Sequence, residues 1–216
     1  MKKALFVGLV LVFFSCGESS QNIEPRKESN KKNREKSLLE MPPFSEDGRV
    51  NALIEIPAGT IEKWELNKST GSPSLEQVDG QPRLIQYLGY PGNYGMIPGT
   101  LLPKDKGGDG DPLDILVLGP KKSRGDLVPC KLLGVLYLLD RGEKDDKLIA
   151  ISSDSPLEQI NDISDLSDYT GILEIIQLWF TNYKGSGKMK SLGYGDKTEA
   201  EHLLKKALEA SNKAEL

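Results

Sequence analysis

Asp109-Gly110-Asp111-Pro112-Leu113-Asp114 sets three carboxylates within six residues, and the apolar run 115–118 follows directly. Carboxylates this close repel one another, so a fold that gathers them at a strand mouth needs cations to hold them there. Oxygen-only donors select hard ions such as Mg²⁺ or Mn²⁺ over zinc or copper. An acidic turn capped by Gly and Pro can also be no more than a solvated loop; the third Asp and the strand behind it favour the metal reading. Further acids stand at strand ends: Glu55 beside Pro57, Asp140 after the longest apolar run, and Asp145 five residues later. Each of these alone reads as a solvated charge. Interleaved with them are Lys63, Arg83, Lys147 and Lys184, and the tyrosines Tyr90, Tyr94 and Tyr183. Acids that bind metals, beside cations and hydroxyls that bind oxyanions, suit phosphoryl chemistry.

The elements that must position these residues are mainly strands. Residues 52–57, 63–67, 115–118, 128–139 and 148–152 read as strands, with a Ser69-Thr70-Gly71-Ser72 turn after the second. Alternation with Ile54 and Ile56 points Glu55 away from their shared face. Helices come late. Residues 170–184 set Ile172, Ile175, Ile176, Trp179 and Tyr183 on one face, with Gly185 as terminator. Thr198-Glu199-Ala200-Glu201 reads as a capping box opening a last helix, with Ala200, Leu203, Leu204, Ala207 and Leu208 as its apolar stripe. About five short strands followed by two helices predict a small α+β barrel, mainly β, with flanking C-terminal helices.

The 216 residues suit one domain with extensions, and 28 basic against 32 acidic residues leave a net charge of −4. That balance argues against nucleic acid as a partner, because such binding rests on a basic surface. Lys2-Lys3 followed by the apolar run 4–14 has the make-up of a signal peptide over residues 1–15 and is too short to span a bilayer. Ser15-Cys16-Gly17 resembles a bacterial lipoprotein signal, in which Cys16 is lipidated and anchors the mature chain. Phe13 departs from that pattern, where Leu is usual. The expected location is therefore the periplasmic or cell-surface face of a bacterial membrane. Residues 16–46 read as a charged, disordered tether, with six basic and six acidic residues between 17 and 46. The catalytic domain is expected over 47–216, where 20 basic face 26 acidic residues. Cys130, inside an apolar run, reads as a buried structural thiol, and no disulfide framework exists.

At this point the motifs resemble a known family. Asp109-Gly110-Asp111-Pro112-Leu113-Asp114 matches the signature D-x-D-P-x-D of the family I soluble inorganic pyrophosphatases. Ile54-Glu55-Ile56-Pro57, Lys63-Trp64-Glu65, Tyr90-Pro91-Gly92-Asn93-Tyr94-Gly95, Asp140 to Lys147, and Tyr183-Lys184 follow in the family's order, and the likeness runs from about Glu46 to the C-terminus. The resemblance implies a five-stranded OB-like barrel that hydrolyses pyrophosphate to two orthophosphates with several Mg²⁺ ions, Mn²⁺ being a substitute. It implies Asp109, Asp114 and Asp145 as ligands of a first metal, Asp140 and Asp145 of a metal that arrives with substrate, and Glu55 as a ligand through water. It makes Asp111 the general base, with Tyr94 beside the nucleophile and Glu65 organising the site. Lys63, Arg83, Lys147, Tyr183 and Lys184 match positions that grip phosphate oxygens. Two spacings are one residue shorter than in many bacterial members: Glu55 to Lys63, and Arg83 to Tyr90. Asn182 stands where those members often carry a His that helps build hexamers, so homo-oligomer formation stays open.

Two other patterns fail. Lys184-Gly185-Ser186-Gly187-Lys188 follows a helix rather than opening one and has Met189 where a phosphate loop needs Ser or Thr. An EF-hand from Asp105 would need Glu where Leu116 stands. Two rival functions remain: a metal-dependent phosphatase acting on another substrate, and a non-catalytic phosphate- or metal-binding lipoprotein. His202 reads as a surface residue.

Overall fold

A computed structural model of the chain describes residues 38–104, 108 and 110–214. The leader, Cys16, the tether through residue 37, and Asp109 lie outside the described residues. Eleven strands and two α-helices are formed there. They are β1 (Val50–Ile56), β2 (Trp64–Asn67), β3 (Ser72–Leu75), β4 (Gln77–Val78), β5 (Gln81–Pro82), β6 (Asn93–Met96), β7 (Asp114–Leu118), β8 (Leu127–Asp140), β9 (Glu143–Lys144), β10 (Lys147–Ser152), α1 (Ile172–Asn182), β11 (Met189–Gly195) and α2 (Lys197–Ala214).

Five strands close into a ring in the order β1, β6, β7, β10, β8, with β8 pairing back onto β1. Only full closure leaves a small sheet without edges. The 14-residue β8 makes this possible. Its first residues pair with β1, its middle with β10, and its last with β11. The β10 and β11 pairings each carry a register shift, the usual device for bending a strand around a barrel. The expected barrel with late helices is therefore present. Both faces of the ring are covered, which is why its strands are continuous apolar runs. Leu116, Leu118, Ile149 and Ile151 pack toward Trp179 and Phe180 of α1. Ile115, Val117, Leu148 and Ala150 pack with Ala200, Leu204 and Ala207 of α2. At Gly95, any Cβ would lie 1.9 Å from the Leu53 carbonyl oxygen, so only glycine lets β6 approach β1.

The structure departs from the sequence expectations at four places. A bulge at Glu55 breaks the alternation of β1; Ile54 faces the α2 layer and Ile56 the α1 layer, so they share no face. On α1, Ile175 is 60% exposed and Phe180 takes the buried position instead, because the packed stripe is anchored by Ile176 and Trp179. The capping box of α2 is Asp196 with Glu199: Asp196 Oδ1 accepts from the Glu199 N–H at 2.9 Å, and Glu199 Oε2 accepts from the Asp196 N–H at 3.0 Å. Asp outcompetes the Thr198 hydroxyl at this end because a carboxylate also meets the helix dipole favourably. Finally, the segment 38–46, assigned to the tether by composition, is bonded to the barrel. Asn51 donates to the carbonyls of Pro42 and Pro43, at 3.0 and 2.9 Å, and Phe44 bridges Val50. Cys130 is fully buried, its thiol donating to the Val50 carbonyl and pushed up to about 12 by burial. His202 is exposed. Among the described residues, no helix is long and apolar enough to cross a membrane.

Candidate active site

Strand register brings the chemistry together. β7 and β10 run parallel with Ile115 opposite Leu148, so their first residues, Asp114 and Lys147, enter side by side. Lys147 Nζ donates to Asp114 Oδ2 and Asp145 Oδ1, each at 2.5 Å, and the lysine side chain is 2% exposed. Burial opposes a charge there, but the two carboxylates outweigh it and hold the ammonium's pKa above its ordinary value. The β8–β9 hairpin aims the remaining acids. Its two-residue turn has positive φ at Arg141 and Gly142, a form that matches strand twist. Asp140 precedes that turn and Asp145 follows the hairpin. Lys184, just past the C-cap of α1, reaches Asp140 Oδ2 at 2.8 Å and Asp145 Oδ2 at 3.7 Å. Among the described residues, Asp140 Oδ1 is buried and has no hydrogen-bond partner.

A second group lies on the other side of Asp114. A cavity of about 110 Å³ is lined by Glu55, Lys63, Glu65, Lys68, Asp111 and Asp114, among others. Asp114 thus belongs to both groups. Lys63 Nζ pairs with Glu65 at 2.9 Å and lies 5.6 Å from the Tyr94 ring centre. Glu55 sits in the bulge of β1, and its Oε1 accepts the Leu66 N–H at 2.6 Å. Burial raises the Glu55 pKa to about 7, against the opposing pull of that hydrogen bond and of Lys63. With the unfolded carboxyl near 4.5, the folded chain keeps the proton longer, so stability falls as pH rises from about 4.5 to about 7. In chelator-treated protein this amounts to about 3 kcal/mol. Urea unfolding at pH 5 and pH 7.5 should show the loss in the parent and a clearly smaller one in Glu55→Gln; equal losses would contradict it.

Aromatic packing places the tyrosines. Tyr183 stacks on Trp179 at 4.5 Å and 12°, Trp179 meets Tyr90 at 4.4 Å, and Tyr90 meets Tyr94 at 5.1 Å. Trp179 is itself pinned by its Nε1–H to the Leu88 carbonyl at 2.9 Å. The helical phase of Tyr183 expected from the sequence is therefore realised. Arg83 is held by both oxygens of Glu76 at 2.7 Å, and that carboxylate raises the guanidinium pKa against the opposing effect of burial. Sequence reasoning missed three supports. Asn93, fully buried, accepts from the Ala58 and Lys122 N–H groups and donates to the Pro120 carbonyl, fixing β6 beneath Tyr94. Arg124 lies 3.9 Å over the Trp64 ring and donates to the Glu55 carbonyl. Lys68 bonds Asp111. Asn93 lay within a quoted motif, but Arg124 and Lys68 had no signal beyond their charge.

The donor set fits a divalent cation of the hard class: every candidate ligand is a carboxylate, and Asp140 offers a buried lone oxygen. Among the described residues no three acids converge on one point; Lys147 and Lys184 stand between Asp114, Asp140 and Asp145.

The model of the family described as inorganic pyrophosphatase matches residues 52–212. That span includes every acid and cation described above. The chain belongs to the inorganic pyrophosphatase family. The inorganic pyrophosphatase of Corynebacterium efficiens is 36% identical over 164 residues, which are 74% of this chain and 96% of that protein. The pyrophosphatase of T. brucei brucei superposes with a TM-score of 0.73 at 26% identity, over 80% of this chain and 58% of that longer one. A truncated vacuolar soluble pyrophosphatase of Trypanosoma cruzi, solved with PPi, gives 0.73 at 25% identity, over 91% and 76% of the two chains. The closed ring is thus the OB-like barrel of these pyrophosphatases. The enzyme is an inorganic diphosphatase, which hydrolyses pyrophosphate to two orthophosphates with a divalent metal.

Proposed function

We propose that the metal is Mg²⁺ and that the attacking water is handled by Asp111. The observation that carries this reading is the convergence of Asp114, Asp140 and Asp145 on the ammonium groups of Lys147 and Lys184, with Asp111 and Glu55 across Asp114. Asp114, Asp140 and Asp145, with Asp109 from the sequence motif, would hold the cations, and Glu55 would act on them through water. When bound there, the metal would supply a lowered pKa for the attacking water. Asp111 takes that water's proton at a carboxylate oxygen as the new P–O bond forms. The bridging P–O bond breaks, and its electron pair leaves on the second phosphate. Lys63, Arg83, Lys147 and Lys184 spread positive charge around both phosphates, where most of the catalysis of phosphoryl transfer lies. Tyr94 stays a protonated donor, because burial and the nearby Asp114 raise its pKa well above the ordinary value, and Tyr183 offers its hydroxyl beside Lys184. Glu65 orients Lys63.

Phosphate release from Mg²⁺-pyrophosphate, run beside nucleoside triphosphates and sugar phosphates, tests the substrate. A preference for sugar phosphates would return the broader phosphatase reading. Lys63→Ala should chiefly raise KM, because its contact is made in the ground and transition states alike. A loss confined to kcat would remove that role.

The enzyme is further proposed to work outside the cytoplasm, anchored through lipidated Cys16. The support is the Lys2-Lys3 start, the apolar run 4–14 and the Ser15-Cys16 step. Cys16→Ser should move the protein from the membrane fraction to the soluble one. Retention of the variant in the membrane fraction would point to another anchor.

A further inference from the structure

Lys68 stands at the tip of the β2–β3 hairpin, outside every motif discussed above. Its turn is firmly built: Asn67 Oδ1 accepts from the N–H groups of Ser69 and Thr70 at 2.9 and 3.1 Å, and the Gly71 N–H closes on the Asn67 carbonyl at 2.8 Å. From this turn the ammonium crosses 43 positions of sequence to bond Asp111 Oδ1, and it also donates to the Gly110 carbonyl at 3.2 Å. Both side chains line the small cavity that Glu55, Glu65 and Asp114 share. Both are also open to water, Lys68 by 62% and Asp111 by 49%.

We infer that Lys68 is a positioning residue for Asp111 that sets the concentration at which the acidic cluster admits a divalent cation. The inference rests on Asp111 being the base of a metal-loaded site. Without metal, the ammonium neutralises Asp111 and holds its carboxylate toward the hairpin. A divalent ion held by the neighbouring carboxylates carries twice the charge and repels the Lys68 ammonium, which then gives up its contact with Asp111. Until then, Lys68 repels the incoming ion. An exposed pair of this kind changes an equilibrium by at most about fivefold, so it tunes a threshold and does not lock the site.

The test is Mn²⁺ binding to the chelator-stripped full chain, read by the electron paramagnetic resonance of the free ion. Lys68→Met keeps the length and removes the charge. It should bind Mn²⁺ about two- to fivefold more tightly at low salt, and the half-activating Mg²⁺ concentration should fall in step. The difference should shrink in about 1 M monovalent salt, where screening acts within ~3 Å. Lys68→Arg keeps the charge and should bind like the parent. A merely structural lysine would give neither the salt dependence nor the rescue. Equal or weaker Mn²⁺ binding by a Lys68→Met variant that melts like the parent overturns the inference. Asp111→Asn, assayed in parallel, separates the two readings. If it keeps full turnover, the assignment of Asp111 falls. If it is inactive while Lys68→Met binds Mn²⁺ like the parent, only the role of Lys68 falls.

Discussion

Asp111→Asn should lower pyrophosphate turnover by about 10²–10⁴-fold, the range expected when a positioned base is removed. The amide keeps the size and one oxygen of the carboxylate but takes up no proton at neutral pH. Asp114, Asp140 and Asp145, which hold the metals in this reading, are untouched, so Mn²⁺ affinity should stay close to that of the parent. The signature is therefore a split: kcat collapses while metal binding persists. Turnover within a few-fold of the parent would show that another group takes the proton. Joint loss of turnover and metal affinity would instead make Asp111 a ligand.

Lys147→Met should be the most destabilising change in the site. The lysine is 2% exposed and bonds two carboxylates, whose side chains are 29% and 20% exposed. Breaking a fully buried ion pair from one side costs about 3–5 kcal/mol, since the remaining charge is left without a partner. Partial exposure of both carboxylates reduces this to about 2–4 kcal/mol. Two acids would then face each other across an apolar side chain. Because a divalent cation neutralises the same acids, added Mg²⁺ should close much of the gap between variant and parent in urea unfolding. The pH dependence has a definite sign. The folded pKa of Lys147 is raised, so its contribution is complete below about 10.5 and is lost as pH climbs through that raised value. Activity should fall as well, since the buried ammonium is among the charges set against the phosphates. A variant as stable as the parent in chelator would mean that the lysine serves substrate alone.

The chemistry was legible because it is carried by short, ordered motifs. The acids of Asp111 and Asp114 lie in one six-residue signature, and Tyr183-Lys184 sits at the exit of a helix whose apolar phase could be counted. Barrel strands were visible as apolar runs because both faces of the ring are buried. The errors fall where local pattern competes with tertiary demand. Glu55 looked like one step of a simple alternation, but β1 must pair with both β6 and β8, and the bulge that follows re-aims its neighbours. Ile175 has the helical spacing of a core residue, yet the helix turns Ile176, Trp179 and Phe180 into the core and leaves Ile175 facing out. The segment 38–46 has the composition of a tether, but Asn51 captures its carbonyls.

By itself, the sequence determined the inventory: which acids, cations and tyrosines are present, in what order, and on which kind of element. Tertiary structure alone decided the pairing. Lys147 meets Asp114 because β10 lies parallel to β7 in one register, and Lys68 meets Asp111 because a hairpin tip folds over the acidic loop. Such contacts join residues 33 and 43 positions apart. No local periodicity encodes them, since they arise from closing a ring and not from the conformation of any one segment.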